Sequence, residues 1–234
     1  MQNFGDLLGP LVVRRTVAHL NLVRPVLPTR RRLVAIGSVI HLARNKDVIW
    51  GAGVNGKMLH ALGRVGGLDV RAVRGPRTRE RLLSLGVSCP PIYGDPALLI
   101  PHLMRVDQDG RRQKRDIALT HVPNLNDRET HGSVTLDPRS PLEECIDRIR
   151  RSELVVGSSL HGVIIAEAFG VPAVLIAPKH EDMFKYEDYY GGTGRTSFRV
   201  AASIDEAVKA DLNDPPVFDP EALLGAFPAD LWRS

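Results

Sequence analysis

Residues 154–176 read LVVGSSLHGVIIAEAFGVPAVLI, and this stretch restricts the fold more than any other part of the chain. A β-branched apolar run ends in Gly157-Ser158-Ser159, an apolar helix runs on to Gly170 and Pro172, and a second buried strand occupies 173–177. Strand, small-residue turn, helix and strand in that order make a βαβ unit with parallel strands. Ligands of such units bind beyond the C-terminal ends of the strands. His161 stands there, at the mouth of the helix. A helix N-terminus disfavours an imidazolium but attracts an anion, so a phosphate or carboxylate bound beside His161 would make it a competent acid. A structural histidine is the plain alternative.

The rest of the chain extends the same alternation. Apolar positions at helical spacing (Leu7, Leu8, Leu11, Val12, Val17, Leu20) predict a helix over 7–20. Segments 33–36, 47–50 and 70–73 read as short strands, 56–65 as a helix, and 77–85 as a helix opened by Pro76 and closed by Gly86. A further strand at 117–121, an Asn-, Asp- and Gly-rich loop at 123–133, a helix over 141–151 and a last helix near 204–212 complete the pattern. Strands alternating with helices in both halves predict an α/β protein of two Rossmann-like parallel-sheet domains with a cleft between them. The polar, basic stretch 107–116 is the expected linker. It divides the chain into 1–112 and 113–234, with the last segment packing back on the first domain.

Charge and composition bear on partners. The net charge of +4 comes with basic clusters at Arg14-Arg15, Arg30-Arg31-Arg32 and 111–115. Such clusters suit nucleic acid, anionic lipid or phosphorylated substrates, or are simply solvated loops. Aromatics make up only 5% of the chain and no nucleic-acid module is recognisable, which argues against nucleic acid. Cys89 and Cys145 fall in no metal-ligand spacing, and no apolar run approaches the roughly 20 residues of a membrane span. The expectation is a reduced, cytoplasmic protein that uses no metal and, if it works at a membrane, does so from the surface.

Several shorter motifs carry chemistry. Gly51-Ala52-Gly53-Val54-Asn55-Gly56 matches G-x-G-x-x-G between a strand and a helix. A dinucleotide site also wants an acidic residue closing the next strand, and Arg74 stands at that point instead. A tight glycine turn is the better reading. Asn3 and Asp6 precede the first predicted helix, where they cap it or bind a polar ligand. Arg74, at a strand end beside Gly75, has the geometry to grip a carboxylate or phosphate. Asp95, between Gly94 and Pro96, is a turn former or a carboxylate at a site.

Taken in order, these pieces resemble the polysaccharide pyruvyl transferase family. The resemblance runs through Asn3–Asp6, Ile36-Gly37-Ser38, Ile49-Trp50-Gly51-Ala52-Gly53, Val73–Thr78 and Tyr93–Leu98. It continues through Ser158–Gly162, Glu167–Pro172 and Lys185-Tyr186-Glu187-Asp188-Tyr189. The resemblance implies two domains arranged as in GT-B glycosyltransferases, with the active site between them. It also implies transfer of the pyruvyl group of phosphoenolpyruvate to a saccharide, free or lipid-linked, as a ketal, with no further cofactor. Arg74 and His161 would bind the donor and assist catalysis, with Asp95 or Asp6 as base. Asn3, Ser38, Gly51, Gly53, Ser158, Ser159, Gly162 and Lys185 would complete the substrate site. Ser159 departs from the family, which often has arginine two residues before the histidine; either Lys185 or Arg77 replaces that contact, or donor binding is weaker or the donor differs. A sugar-nucleotide glycosyltransferase, with Glu167 on the ribose, and a non-catalytic glycan-binding relative are the alternatives.

Overall fold

A computed structural model describes residues 3–25, 31–64, 67–104, 115–127 and 131–233. In chain order the elements are α1 (Phe4–His19), β1 (Arg24–Pro25), β2 (Leu33–Val34), β3 (Val48–Trp50), β4 (Asp69–Ala72), α2 (Pro76–Ser84) and α3 (Ile100–Met104). They continue with β5 (Ile117–His121), α4 (Leu142–Arg150), β6 (Ser152–Gly157), α5 (Leu160–Ala168), β7 (Ala173–Ile176) and α6 (Phe184–Gly192). The chain closes with β8 (Val200–Ala201), α7 (Ile204–Lys209), α8 (Pro220–Gly225) and β9 (Trp232–Arg233).

The fold is α/β with two parallel sheets, one ordered β2-β3-β4 and the other β5-β6-β7-β8. Backbone contacts group the chain into two units. The first comprises Gly9–Pro96, Asp182–Thr196 and Val217–Ser234; the second comprises Met1–Leu8, Ala97–Glu181 and Ser197–Pro216. The boundary expected at 112/113 falls in 105–114, outside the described residues.

In the first unit all three residues of β3 are buried, as a central strand flanked by β2 and β4 requires. Ile49, Val70, Val73, Leu82 and Val87 form its apolar core. Trp50 is fully buried; its indole N–H donates to the Leu223 carbonyl at 2.8 Å, and its ring meets Phe227 edge-on at 4.9 Å. Phe227 in turn stacks on Trp232 at 5.0 Å. The C-terminal segment is thus part of the first unit's core. The predicted helix over 56–65 is a run of 3₁₀ turns (Gly56–Arg64) interrupted at Met58.

In the second unit β6 pairs with β5 and β7, and its Val155, Val156 and Gly157 are buried. Val156, Val174, Ala201 and Ala207 fill one side of this sheet. The turn from β6 to α5 needs both of its glycines. Gly157 has φ +152°, and a Cβ there would lie 2.0 Å from the Val122 carbonyl oxygen; one on Gly162 would lie 2.8 Å from the Val122 side chain. Among the described residues no helix is long and apolar enough to cross a membrane.

Candidate functional site

In the second unit the candidate residues converge on the N-terminus of α5. Ser159 is the N-cap; its hydroxyl accepts from the Gly162 N–H at 3.3 Å. Its neighbour turns the other way: the Ser158 hydroxyl accepts from the Asn124 N–H at 2.9 Å and donates to Asp127. His161 lies one residue into the helix, half-buried, with its imidazole against the first turn of α1. A Cβ on Gly5 would fall 2.4 Å from His161 Nδ1 and 2.9 Å from Asn3 Oδ1, so only glycine at position 5 leaves the ring its place. Asn3 and Asp6 satisfy one another across that turn. The Asn3 side chain accepts from the Asp6 N–H, and the Asp6 carboxylate accepts from the Asn3 N–H, each at 3.1 Å. This reciprocal cap starts α1 at Phe4, three residues before the predicted start. The structure therefore brings Asn3, Asp6 and His161 together, with Ser158, Ser159 and Gly162 forming the turn beneath.

The first unit gathers Ser38, Gly51, Gly53 and Arg74. The Arg74 side chain is 1% exposed and ion-paired with the fully buried Asp188, Nε donating to Oδ2 at 3.0 Å. Its Nη1 donates to Ser38 Oγ at 2.7 Å and its Nη2 to the Val54 carbonyl at 3.2 Å. Asp188 also accepts from the Thr78 N–H at 2.8 Å and the Thr78 hydroxyl at 2.7 Å, which ties α6 to the start of α2. The guanidinium lies on Gly53, where a Cβ would stand 2.3 Å from its central carbon. Gly51, at φ +78°, leaves room for Pro96 in the same way.

The N–H groups of the glycine turn are also committed: Gly51 to Ala72, Gly53 to Gly37, and Val54 to the Thr78 hydroxyl. A pyrophosphate needs such donors, so the turn serves the protein's own arginine and not a dinucleotide. Asp95 is fully buried after Gly94, whose N–H donates to the Val73 carbonyl at 3.1 Å. Lys185 is half-buried on α6, with its ammonium 5.0 Å from the Tyr186 ring centre.

Three arginines of the basic clusters are drawn into internal pairs, and Arg14 and Arg15 are exposed. Arg31 bonds Asp69, Arg32 bonds Asp47, and Arg115 donates to the Gly170 carbonyl at 2.6 Å. Arg30 and residues 111–114 lie outside the described residues. Cys89 and Cys145 are free and buried, and burial pushes each thiol up to about 11, so neither is a nucleophile near neutral pH. Among the described residues no three His, Cys, Asp or Glu side chains are grouped to hold a metal ion.

A cavity of about 220 Å³ lies at the C-terminal edge of the second unit's sheet. His121 and Ser158, each 4% exposed, line it together with Asp127, His131, Lys179 and Ser203. The His121 and His131 rings meet edge-on at 5.1 Å, and both residues bond the Thr135 hydroxyl. Of these six, sequence reasoning singled out only Ser158. His121 carried a signal, since it closes a predicted strand. Asp127 and His131 sat within a polar loop and gave none. The ion pair of Asp188 was equally hidden, because its partner lies 114 residues away.

The profile of the polysaccharide pyruvyl transferase family matches residues 14–180. The chain belongs to that family. The family match takes in Ser38, Gly51, Gly53, Arg74, Asp95 and the Ser158–Gly162 turn, and leaves out Asn3, Asp6 and Lys185. The chain is 29% identical over 180 residues to the succinoglycan biosynthesis protein ExoV of Rhizobium meliloti (strain 1021), covering 70% of this chain and 54% of that protein. It thus spans about half the length of this curated relative. A functionally uncharacterised protein of Klebsiella pneumoniae subsp. pneumoniae NTUH-K2044 has a similar fold. Its TM-score is 0.54 at 12% identity, over 80% of this chain and 83% of the other.

Proposed function

We propose that this chain transfers the pyruvyl group of phosphoenolpyruvate to a saccharide as a ketal, releasing phosphate, in polysaccharide biosynthesis. Membership of the pyruvyl transferase family, with His161 inside the matched region, carries the reading. The local setting of His161 supports it. A helix N-terminus beside the ring favours an anionic donor, and Gly5 leaves the imidazole room to reach it.

On this reading His161, as imidazolium, protonates the methylene carbon of the enol phosphate and leaves an oxocarbenium-like centre at C2. One sugar hydroxyl adds to C2, and its proton restores the acid. A second hydroxyl then displaces phosphate, which departs with that hydroxyl's proton. Asp6, exposed and next in sequence to Gly5, is the carboxylate better able to orient the hydroxyls, since Asp95 is fully buried. Arg74 keeps one N–H on each Nη beyond its bonds to Asp188, Ser38 and the Val54 carbonyl, whereas a donor that drew it off Asp188 would break a buried ion pair at about 3–5 kcal/mol. On this reading those N–H groups serve the donor, while the same side chain holds Ser38, Gly53 and α6 in place.

The reading requires residues of both units to serve one substrate, as the GT-B-like arrangement of the family resemblance would have them do. It places the reaction in the cytoplasm, on an acceptor that is free or carried on a lipid at the inner membrane face. It assigns no step to a metal or cofactor. The test is to incubate the protein with phosphoenolpyruvate and a panel of glycans, following phosphate release and a pyruvate-sized mass gain on the glycan. His161→Ala should lower turnover by about 10²–10⁴-fold. Unchanged transfer by that variant, or no transfer by the wild type to any glycan, counts against the reading.

A further inference from the structure

The cavity at the edge of the β5–β8 sheet has no part in the proton transfer described above, yet it is built like a ligand site. Every strand of the sheet delivers one polar side chain to it from its C-terminal end. His121 comes from β5, Ser158 from the turn after β6, Lys179 from the segment after β7 and Ser203 from that after β8. This is the end of a parallel sheet where α/β proteins hold their ligands. His121 and Ser158 form a buried floor, and His131, Lys179 and Ser203 are exposed at the rim.

Asp127 decides what chemistry fits. Its Oδ2 takes the Ser158 hydroxyl, whereas its Oδ1 is buried and accepts from no group among the described residues. A buried carboxylate oxygen without a donor is costly, and a ligand that brings an O–H to it removes that cost. A fully ionised phosphate or carboxylate brings only acceptors, which Asp127 repels. A sugar ring brings several hydroxyls. Size agrees: about 220 Å³ lies below the roughly 300–1,000 Å³ of drug-sized sites, which suits a single ring and not a nucleotide. Pro123, Ile176 and Ile204 supply apolar wall for the C–H face of such a ring.

We propose that this cavity binds one sugar ring of the acceptor, with a ring hydroxyl donating to Asp127 Oδ1 and with His131 and Lys179 donating to ring oxygens. That the sugar is the acceptor rests on the pyruvyl-transfer reading; the binding itself does not. The test titrates the protein at pH 8 with methyl β-D-galactopyranoside and methyl β-D-glucopyranoside. Inorganic phosphate and phosphoenolpyruvate form separate arms. The readout is the NMR shift of the imidazole C–H protons, with the His131 signal identified by its loss in His131→Gln.

At least one glycoside should shift the His131 signal saturably. Asp127→Asn should weaken that binding by about tenfold or more. Lys179→Met, which leaves the Asp127–Ser158 bond untouched, should weaken it by about threefold and decides the matter if Asp127→Asn does not fold. Glycosides that leave the signal unmoved, a response confined to phosphate or phosphoenolpyruvate, or binding indifferent to the substitutions would overturn the proposal. Glycoside binding without phosphate release from phosphoenolpyruvate would sink the pyruvyl-transfer reading alone. Phosphate release with a silent cavity would sink this inference alone.

Discussion

At the scale of single residues, small side chains matter here for what they admit. Gly5 has an ordinary helical position but carries no Cβ, and the His161 ring occupies the space one would need. Gly5→Ala separates shape from stability. Alanine is the better helix former by about 1 kcal/mol, which offsets part of the roughly 1–3 kcal/mol that crowding the ring costs, so thermal melting should show at most a modest loss of stability. The imidazole must move, and a displacement of that order at a reacting group costs about 10²-fold in turnover. A Gly5→Ala protein with wild-type phosphate release would mean that the position of His161 against α1 is irrelevant to the reaction. Ser159 illustrates a different trade. Where the family often has arginine, this chain has an N-cap, so the residue that loses an anion contact gains a start for α5.

At the scale of elements, α6 shows why part of the molecule could not be read in advance. Its sequence, FKYEDYYGG, has three tyrosines and two glycines, little helix propensity and no apolar stripe, so no local pattern predicts a helix there. In the structure Tyr186, Tyr189, Tyr190 and Asp188 are all fully buried, and packing and the Asp188–Arg74 pair make the helix. Removing Asp188 should therefore be severe. Asp188→Ala leaves a buried guanidinium without its counter-ion and should lower stability in urea by about 3–5 kcal/mol. Glu187→Ala, one residue earlier, breaks only the exposed pair with Arg77 and should cost under about 1 kcal/mol. Equal effects would show that α6 is held by its tyrosines alone. By contrast β6, α5 and β7 were legible nearly to the residue, because a buried βαβ unit announces itself through a continuous apolar run and its glycines.

At the scale of the whole molecule, arginines such as Arg31, Arg32 and Arg71 pair with aspartates. These pairs set the acid response. Burial alone would raise the Asp47 carboxyl, but hydrogen bonds from the Arg32 side chain and from the Arg44 and Arg32 N–H groups outweigh it and hold it below the usual range. Hydrogen bonding by Arg71 does the same for Asp69, against a smaller opposing effect of burial. Groups whose folded values are depressed stabilise the protein above their unfolded value, near about 3.9, and that stability is lost as pH falls through the folded value. Urea midpoints should thus hold down to about pH 4 and fall below it. Asp47→Asn should lower the neutral-pH stability by about 1–3 kcal/mol and flatten the acid limb. An acid limb identical to wild type would remove Asp47 from that account.

The sequence by itself determined the fold class, the family and the turn on which His161 stands, because each depends on local pattern: apolar runs of strand length, glycines at tight turns, a cap before a helix. Only the tertiary structure decided what those residues touch. Arg74 stands at a strand end with a counter-ion that comes from a helix far along the chain. Ser158 and Ser159, adjacent in sequence, face a cavity and a helix end respectively. The cavity's own residues come from four strand ends and a loop, a meeting that chain order does not encode and that the parallel sheet alone creates.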